Sequence, residues 1–141
     1  KEKVFQSRSR GTATLAKAIT QLDRPPALFL SASAIGYFGD RGDEKLTEES
    51  PPGVGFLPLV CRAWEDAARP AANATRLAIA RFGVVLDQNG GALSKMLLPF
   101  RLGLGGVVGS GRQYMSWISL VDAVGALRHI IEHDELDGAI H

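Results

Sequence analysis

Two serines and a tyrosine that follow a short apolar run are the first candidates for chemistry in this sequence. The run Ala27-Leu28-Phe29-Leu30 leads directly into Ser31, Ser33 and Tyr37, with glycine at position 36. A buried parallel strand whose carboxyl end opens into a crevice has this pattern, because a dry core takes apolar side chains whereas a ligand needs room and hydrogen-bond donors. A Ser/Gly-rich turn with a packed tyrosine explains the same residues equally well.

Three basic residues are candidates for binding an anionic ligand. Arg101 and Arg112 flank a glycine-rich stretch from Gly103 to Gly111, and Lys95 precedes it. Guanidinium groups at a crevice suit carboxylates or phosphates through paired hydrogen bonds. The alternative is that these residues are ordinary solvent-exposed surface residues, and this interpretation applies to Arg101 more than to Arg112. The glycine stretch itself predicts a flexible connector, because it follows a predicted helix and lacks the spacing of a dinucleotide-binding loop.

His129 and His133 have the H-x-x-E-H spacing of some zinc peptidases. Histidines four residues apart share a helix face and can hold a metal while the glutamate activates water. Ile130 and Ile131 indicate that the buried face is the opposite one, and no third ligand is evident. We therefore assign no metal, and zinc hydrolysis through this pair is kept as a remote alternative.

Strands and helices alternate along the chain, which predicts an α/β fold with a parallel sheet covered by helices. The predicted elements are a helix to about residue 22, a strand from 27, a polar loop over 39–55, a helix from 56 to about 71, a strand over 77–86, a short helix after 91, an extended piece over 114–120 and a helix over 122–133. Only two or three strands can be counted, the sequence starts at Lys1, and residues 138–141 look like another strand. We therefore expect a segment of a longer protein.

The composition is that of an ordinary globular protein. The chain has 141 residues, 45% of them hydrophobic and 22% charged, with a formal net charge of +1. Scattered basic residues predict no nucleic-acid partner, and no apolar run is long enough to predict a membrane partner. Because Cys61 is the only cysteine and no secretory signal is evident, the expected location is cytoplasmic.

Ordered motifs cover nearly the whole chain. They are residues 7–12, 31–43, 46–53, 64–65, 81–86, 90–96, 99–106 and 109–118. Together they resemble the extended short-chain dehydrogenase/reductase superfamily, and most closely its atypical, epimerase-like branch of NAD(P)-dependent sugar-nucleotide epimerases. The resemblance implies a small-molecule substrate, either a nucleotide-sugar or another carbonyl or alcohol compound, and a dinucleotide cofactor, with NADP favoured over NAD.

The resemblance also implies a Rossmann-like, doubly wound parallel sheet that is incomplete at both ends of this chain. Residues 1 to about 90 would be the carboxyl-terminal half of the NAD(P)-binding domain, and about 91–141 the start of the substrate-binding region. The family's glycine-rich loop lies in an amino-terminal half outside this sequence, so this segment alone should bind the cofactor weakly. Its uncovered sheet edge would be liable to self-association.

Specific residues match the family's functional positions. Ser33 matches the catalytic serine, whose hydroxyl would contact the reacting oxygen of the substrate, and Tyr37 is the candidate proton donor. The residues assigned to the cofactor are Ser31, Ala32, Phe82, Gly83 and Val84, the last three in the loop that borders the nicotinamide. The residues assigned to the anionic part of the substrate are Lys95, Arg101 and Arg112.

The main departure from the family is the missing Tyr-x-x-x-Lys pair. In the superfamily a helix presents that tyrosine as acid or base with the lysine one turn on, but residues 56–65 carry no such pair. Tyr37 and Arg41 have the spacing but lie in a predicted loop, and Arg8 and Ser119 replace an asparagine and a histidine of relatives. Two functions follow: hydride transfer in an epimerase-like enzyme, or non-catalytic nucleotide binding or regulation on the same fold.

Overall fold

Helices and strands alternate in the computed structural model, which describes residues 1–107 and 109–141. Within those residues the elements are α1 (Glu2–Thr20), β1 (Leu28–Ala34), α2 (Phe56–Ala68), β2 (Arg76–Phe82), β3 (Val84–Asp87), α3 (Gly91–Arg101), β4 (Trp117–Ser119), α4 (Leu120–Glu132) and β5 (Gly138–Ile140). Short 3₁₀ turns follow β1 (Ile35–Tyr37) and α2 (Arg69–Asn73). The α/β class is therefore confirmed.

Both described sheets are parallel. The larger has the order β1-β2-β5, and its register pairs Ser33 with Arg81 and Ala34 with Phe82 at the carboxyl ends of β1 and β2. The smaller consists of β3 and β4. β1 pairs on only one side within the described sheet, so its other edge has no strand partner there, as the family resemblance implies.

Helices cover both faces of the larger sheet. Alternate residues of β2 point to opposite sides: Leu77 and Ile79 pack against Ala68 of α2, whereas Ala78 and Ala80 pack against α4. The connections from β1 to β2 and from β2 to β5 step across the sheet in the same direction, yet their helices lie on opposite faces. The two crossovers therefore have opposite hands, and one of them has the hand found in only about 2% of parallel crossovers.

The predicted strand over residues 77–86 was wrong as a single element, because it is divided at Gly83. A Cβ atom on Gly83 would lie 2.9 Å from the backbone C and O atoms of Ser116. This close approach lets the backbone N–H of Val84 donate to the Ser116 carbonyl at 2.9 Å. The chain therefore leaves the larger sheet after β2 and starts the smaller one with β3.

Gly53 fixes the end of the polar loop against the turn that follows β1. Its backbone N–H donates to the Tyr37 carbonyl at 2.9 Å, and a Cβ atom at this position would lie 1.9 Å from the Phe38 carbonyl oxygen. Backbone atoms cannot swing aside as a side chain can, so residue 53 must be glycine for this contact to form.

Gly53→Ala is expected to lower the free energy of unfolding by about 1–3 kcal/mol, because the loop must move away from the turn. Urea denaturation measures the change. Gly11→Ala is the control, because a Cβ atom there meets nothing within 4 Å. In mid-helix that alanine should raise stability by about 0.5–1 kcal/mol. Equal effects of the two alanines would contradict the close contact at Gly53.

No helix within residues 1–107 and 109–141 has the length and apolar character needed to cross a membrane.

Candidate functional site

A buried ion pair lies where β1 and β2 end. Arg81 of β2 donates from Nε and Nη2 to the two carboxylate oxygens of Glu65 on α2, each at 2.9 Å, and the two residues are 5% and 1% exposed. Burial by itself would lower the pKa of Arg81, but the hydrogen bonds and charge of Glu65 outweigh it, so that pKa is raised. The guanidinium of Arg81 therefore stays charged despite its burial.

Ser33 belongs to the same network. Its hydroxyl donates to Oε1 of Glu65 at 2.7 Å, and the residue is 4% exposed. An ionised carboxylate only accepts hydrogen bonds, and a serine has one proton to give. While this bond holds, Ser33 can accept a hydrogen bond from an alcohol but has no proton left to donate to a carbonyl oxygen.

Tyr37 covers the guanidinium group. The Cζ atom of Arg81 lies 3.8 Å from the centre of the Tyr37 ring, a close cation–π contact, and Phe38 packs edge-on against Tyr37 with ring centres 5.4 Å apart. Arg81 also donates from Nη1 to the Glu48 carbonyl at 3.0 Å. The structure thus brings Ser33 and Tyr37 together around Arg81, and ties both to the polar loop.

Cys61 lies one helical turn before Glu65 and is buried. Burial raises the pKa of its thiol, and the negative charge of Glu65 raises it further. The cysteine is therefore a neutral part of the core beside the ion pair.

An open cleft of about 840 Å³ lies beyond the carboxyl end of β1, between residues 35–46 and 110–116. Arg112 lines it, whereas Lys95 and Arg101 are exposed on α3 away from the lining. Arg41 in the same wall is paired with Glu44, to which it donates from Nε at 2.8 Å and Nη2 at 2.7 Å. Of the three basic residues assigned to substrate, the structure brings Arg112 alone to this cleft.

The residues assigned to the cofactor gather near the ends of β1 and β2. Ala32 is exposed, whereas Ser31 is buried on the α2 face and Phe82 packs toward α4. Gly83 and Val84 form the junction with Ser116. The structure therefore places these five residues at one end of the larger sheet and at its junction with the smaller one.

A cradle for the pyrophosphate is a separate requirement. The sequence has no Gly-x-Gly-x-x-Gly spacing, and the glycine-rich stretch follows α3 and precedes β4, as a connector does. Val108 of that stretch lies outside the described residues. Within the described residues, the glycine-rich stretch therefore does not lie between a strand and a helix, as a dinucleotide-binding loop does.

The histidine pair stands apart from these residues, near the end of α4. In the described part of the chain no group of three or more His, Cys, Asp or Glu side chains is placed to hold a metal ion. The three protein ligands that a catalytic zinc site requires are not assembled there.

Glu65 and Arg81 were not predicted as site residues, although the sequence carries a signal for each. Glu65 follows buried Cys61 by four positions and so falls on the apolar face of α2. Arg81 follows buried Ile79 by two and so falls on the covered face of β2. A charged residue at an apolar position of each neighbouring element indicates a buried pair.

Comparison with known proteins relates this arrangement to one family. No protein-family model matches the chain. The chain is 40% identical over 141 residues to the mouse epimerase family protein SDR39U1, an alignment that covers 99% of this chain and 48% of the mouse protein. It thus spans about half the length of the curated relatives it matches.

Solved structures agree. A nucleoside-diphosphate sugar epimerase from Corynebacterium glutamicum matches with a TM-score of 0.91 and 39% identity, over 99% of this chain and 30% of that chain. Human SDR39U1 isoform 2, solved with NADPH, matches with a TM-score of 0.90 and 39% identity, over 96% of this chain and 46% of that one. Over its length, the chain therefore has the Rossmann-like fold of these proteins and belongs to the epimerase-like family of atypical short-chain dehydrogenases/reductases.

Proposed function

We propose that this chain is the central part of an NADP(H)-dependent, epimerase-like enzyme that transfers a hydride to or from a nucleotide-sugar or another small carbonyl or alcohol compound. The match to human SDR39U1, which was solved with NADPH, carries the proposal, because it combines a TM-score of 0.90 with 39% identity. Residues 1 to about 90 would complete the cofactor domain, and about 91–141 would begin the substrate region.

Within this function the residues take the following roles. Ser33 and Tyr37 act near the reacting carbon, Ala32 and the 82–84 junction border the nicotinamide, and Arg112 meets the anionic part of the substrate in the cleft. Ser31 supports the strand end from its buried side. Lys95 and Arg101 would act only if the substrate extends along α3. The single hydrogen-bond proton of Ser33 favours an alcohol as the bound form, since that hydroxyl can donate to Ser33.

A non-catalytic nucleotide-binding or regulatory protein is the second candidate, and one observation favours it. Ser33 and Tyr37 are both nine-tenths or more buried, one bonded to Glu65 and the other stacked on Arg81. Side chains that are buried and bonded in this way stabilise the fold, but they are poorly placed for proton transfer, because a proton donor must reach its substrate. For either function, we propose a cytoplasmic location and self-association through the open edge of β1.

Titration with NADPH and NADH, followed by nicotinamide fluorescence, tests the cofactor assignment. We expect the 141-residue chain to bind weakly or not at all. The longer protein that we propose, with a glycine-rich amino-terminal half, should bind NADPH more tightly than NADH. Submicromolar binding by the 141 residues would overturn the division of the cofactor site between two halves. Failure of both proteins to bind would overturn the cofactor proposal itself.

Ser33→Ala in the longer protein separates the two candidates. An enzyme should lose hydride transfer while it keeps NADPH binding. A non-catalytic protein should bind NADPH in both forms and turn over neither carbonyl nor alcohol substrates in either.

A further inference from the structure

His129 and His133 are side by side near the end of α4. Their ring centres are 3.8 Å apart with the planes tilted by 39°. His129 is exposed and His133 half-buried, whereas the intervening Ile130 is 3% exposed and packs against the sheet. The last turn of α4 therefore presents the ring of His129 on its exposed side, and His133, which caps the helix with an extended backbone, places its ring beside it.

The tautomer of His133 is set by the helix. Its Nδ1 atom lies 2.9 Å from the backbone carbonyl oxygen of His129. A carbonyl oxygen only accepts, so Nδ1 must carry the proton, and the lone pair of the neutral ring is then on Nε2. Metal-binding histidines usually have this arrangement, in which the second ring nitrogen donates to a carbonyl or carboxylate that orients the ligand.

Two carboxylates beside the pair have partners of their own. Glu132 accepts from Nε of Arg128 at 2.7 Å, and Asp134 pairs with Arg76 at 3.3 Å. The two imidazoles would then be the protein ligands, and water would complete the coordination of a bound ion. Such a site can bind a metal but does not match a catalytic zinc site, which has three protein ligands.

We propose that His129 and His133 form a two-histidine chelate for a divalent first-row transition metal ion. Imidazole nitrogen suits Cu²⁺, Ni²⁺ and Zn²⁺ and discriminates against Mg²⁺ and Ca²⁺, and the general order of stability places Cu²⁺ first. The ion would link the last turn of α4 to His133, the residue that caps it. Because the folded helix holds the ligands together and the unfolded chain does not, binding would also raise the melting temperature.

Calorimetric titration of the 141-residue chain with Cu²⁺, Ni²⁺ and Zn²⁺ tests the site, with Mg²⁺ as the negative control. We expect one ion per chain, with Cu²⁺ bound most tightly. His129→Ala and His133→Ala should each weaken binding at least roughly tenfold, the smallest loss usual even for a residue that only supports a ligand. His141→Ala is the matched control and should leave the affinity unchanged, because that histidine lies beside Glu48, away from α4.

A second measurement guards against indirect effects of the variants. In NMR spectra, substoichiometric Cu²⁺ should broaden the ring signals of His129 and His133 and spare those of His141. The proposal is overturned if the unmodified chain shows no saturable binding, if either α4 variant keeps full affinity, or if broadening is centred on His141. His129 is exposed, so its alanine variant should fold and give a clear result in both experiments.

Discussion

Glu65→Gln is expected to lower the free energy of unfolding by about 3–5 kcal/mol, the usual cost of removing one partner of a buried ion pair. The change leaves the guanidinium of Arg81 charged, 5% exposed and without a carboxylate. An amide keeps the shape of the side chain but can offer only one oxygen where the carboxylate offers two. It also accepts more weakly from Ser33. Chemical denaturation with urea measures the loss.

Two comparisons show whether the cost arises from burial. Glu132→Gln removes a shorter contact, 2.7 Å to Arg128, in which the Glu132 and Arg128 side chains are 51% and 77% exposed. It should cost at most about 0.5 kcal/mol. The double replacement Glu65→Leu with Arg81→Met should recover much of the loss, since an apolar pair leaves no buried charge. If Glu65→Gln costs no more than Glu132→Gln, the buried pair does not hold the strand ends together.

Periodicity was enough to predict the main elements of this fold. The 3.6-residue spacing of apolar positions identified α1, α2 and α4, and the apolar run before Ser31 identified β1. These patterns are local, because each reflects one face of one element packing against a core. The family motifs then supplied the arrangement of the sheet, which a sequence pattern alone does not determine.

The division of the predicted strand at Gly83 could not be predicted from periodicity. Residues on both sides of it favour strands, and the break depends on a backbone contact with Ser116, more than thirty positions later. A contact between distant residues leaves no periodic signal in either segment. Lys95 and Arg101 lie away from the cleft for the same reason. The path of the chain after α3 depends on contacts between distant residues, and that path decides which basic side chains line the cleft.

The Ser33 prediction shows a further limit. Its position at the end of a strand and its family match were both visible in the sequence, but its hydrogen-bond partner was not. That partner, Glu65, is 32 positions away on α2. The partner decides whether the hydroxyl donates or accepts toward a ligand, and therefore which chemistry Ser33 can perform.

Arg76→Met is expected to cost about 3 kcal/mol of unfolding free energy, because it removes charge-assisted hydrogen bonds at a helix end. Nη1 of Arg76 donates to the carbonyls of Ile130, His133 and Leu136 at 3.1, 3.1 and 2.7 Å. The last carbonyls of a helix have no partner within it, and the negative end of its dipole favours a cation. Arg76 therefore joins the start of β2 to the end of α4.

Arg76→Lys should retain the positive charge but lose the forked geometry of the guanidinium group. It should therefore lower the free energy of unfolding, but by less than Arg76→Met does. Arg69→Met is the surface control: its guanidinium pairs with Asp66 at 3.1 Å, but the side chain is 61% exposed. That change should cost at most about 1 kcal/mol. Hydrogen exchange adds a local test, because loss of Arg76 should speed exchange in the last turn of α4 before it affects β1. Equal costs at positions 69 and 76 would mean that the apolar packing of α4 against the sheet, and not Arg76, holds the helix in place.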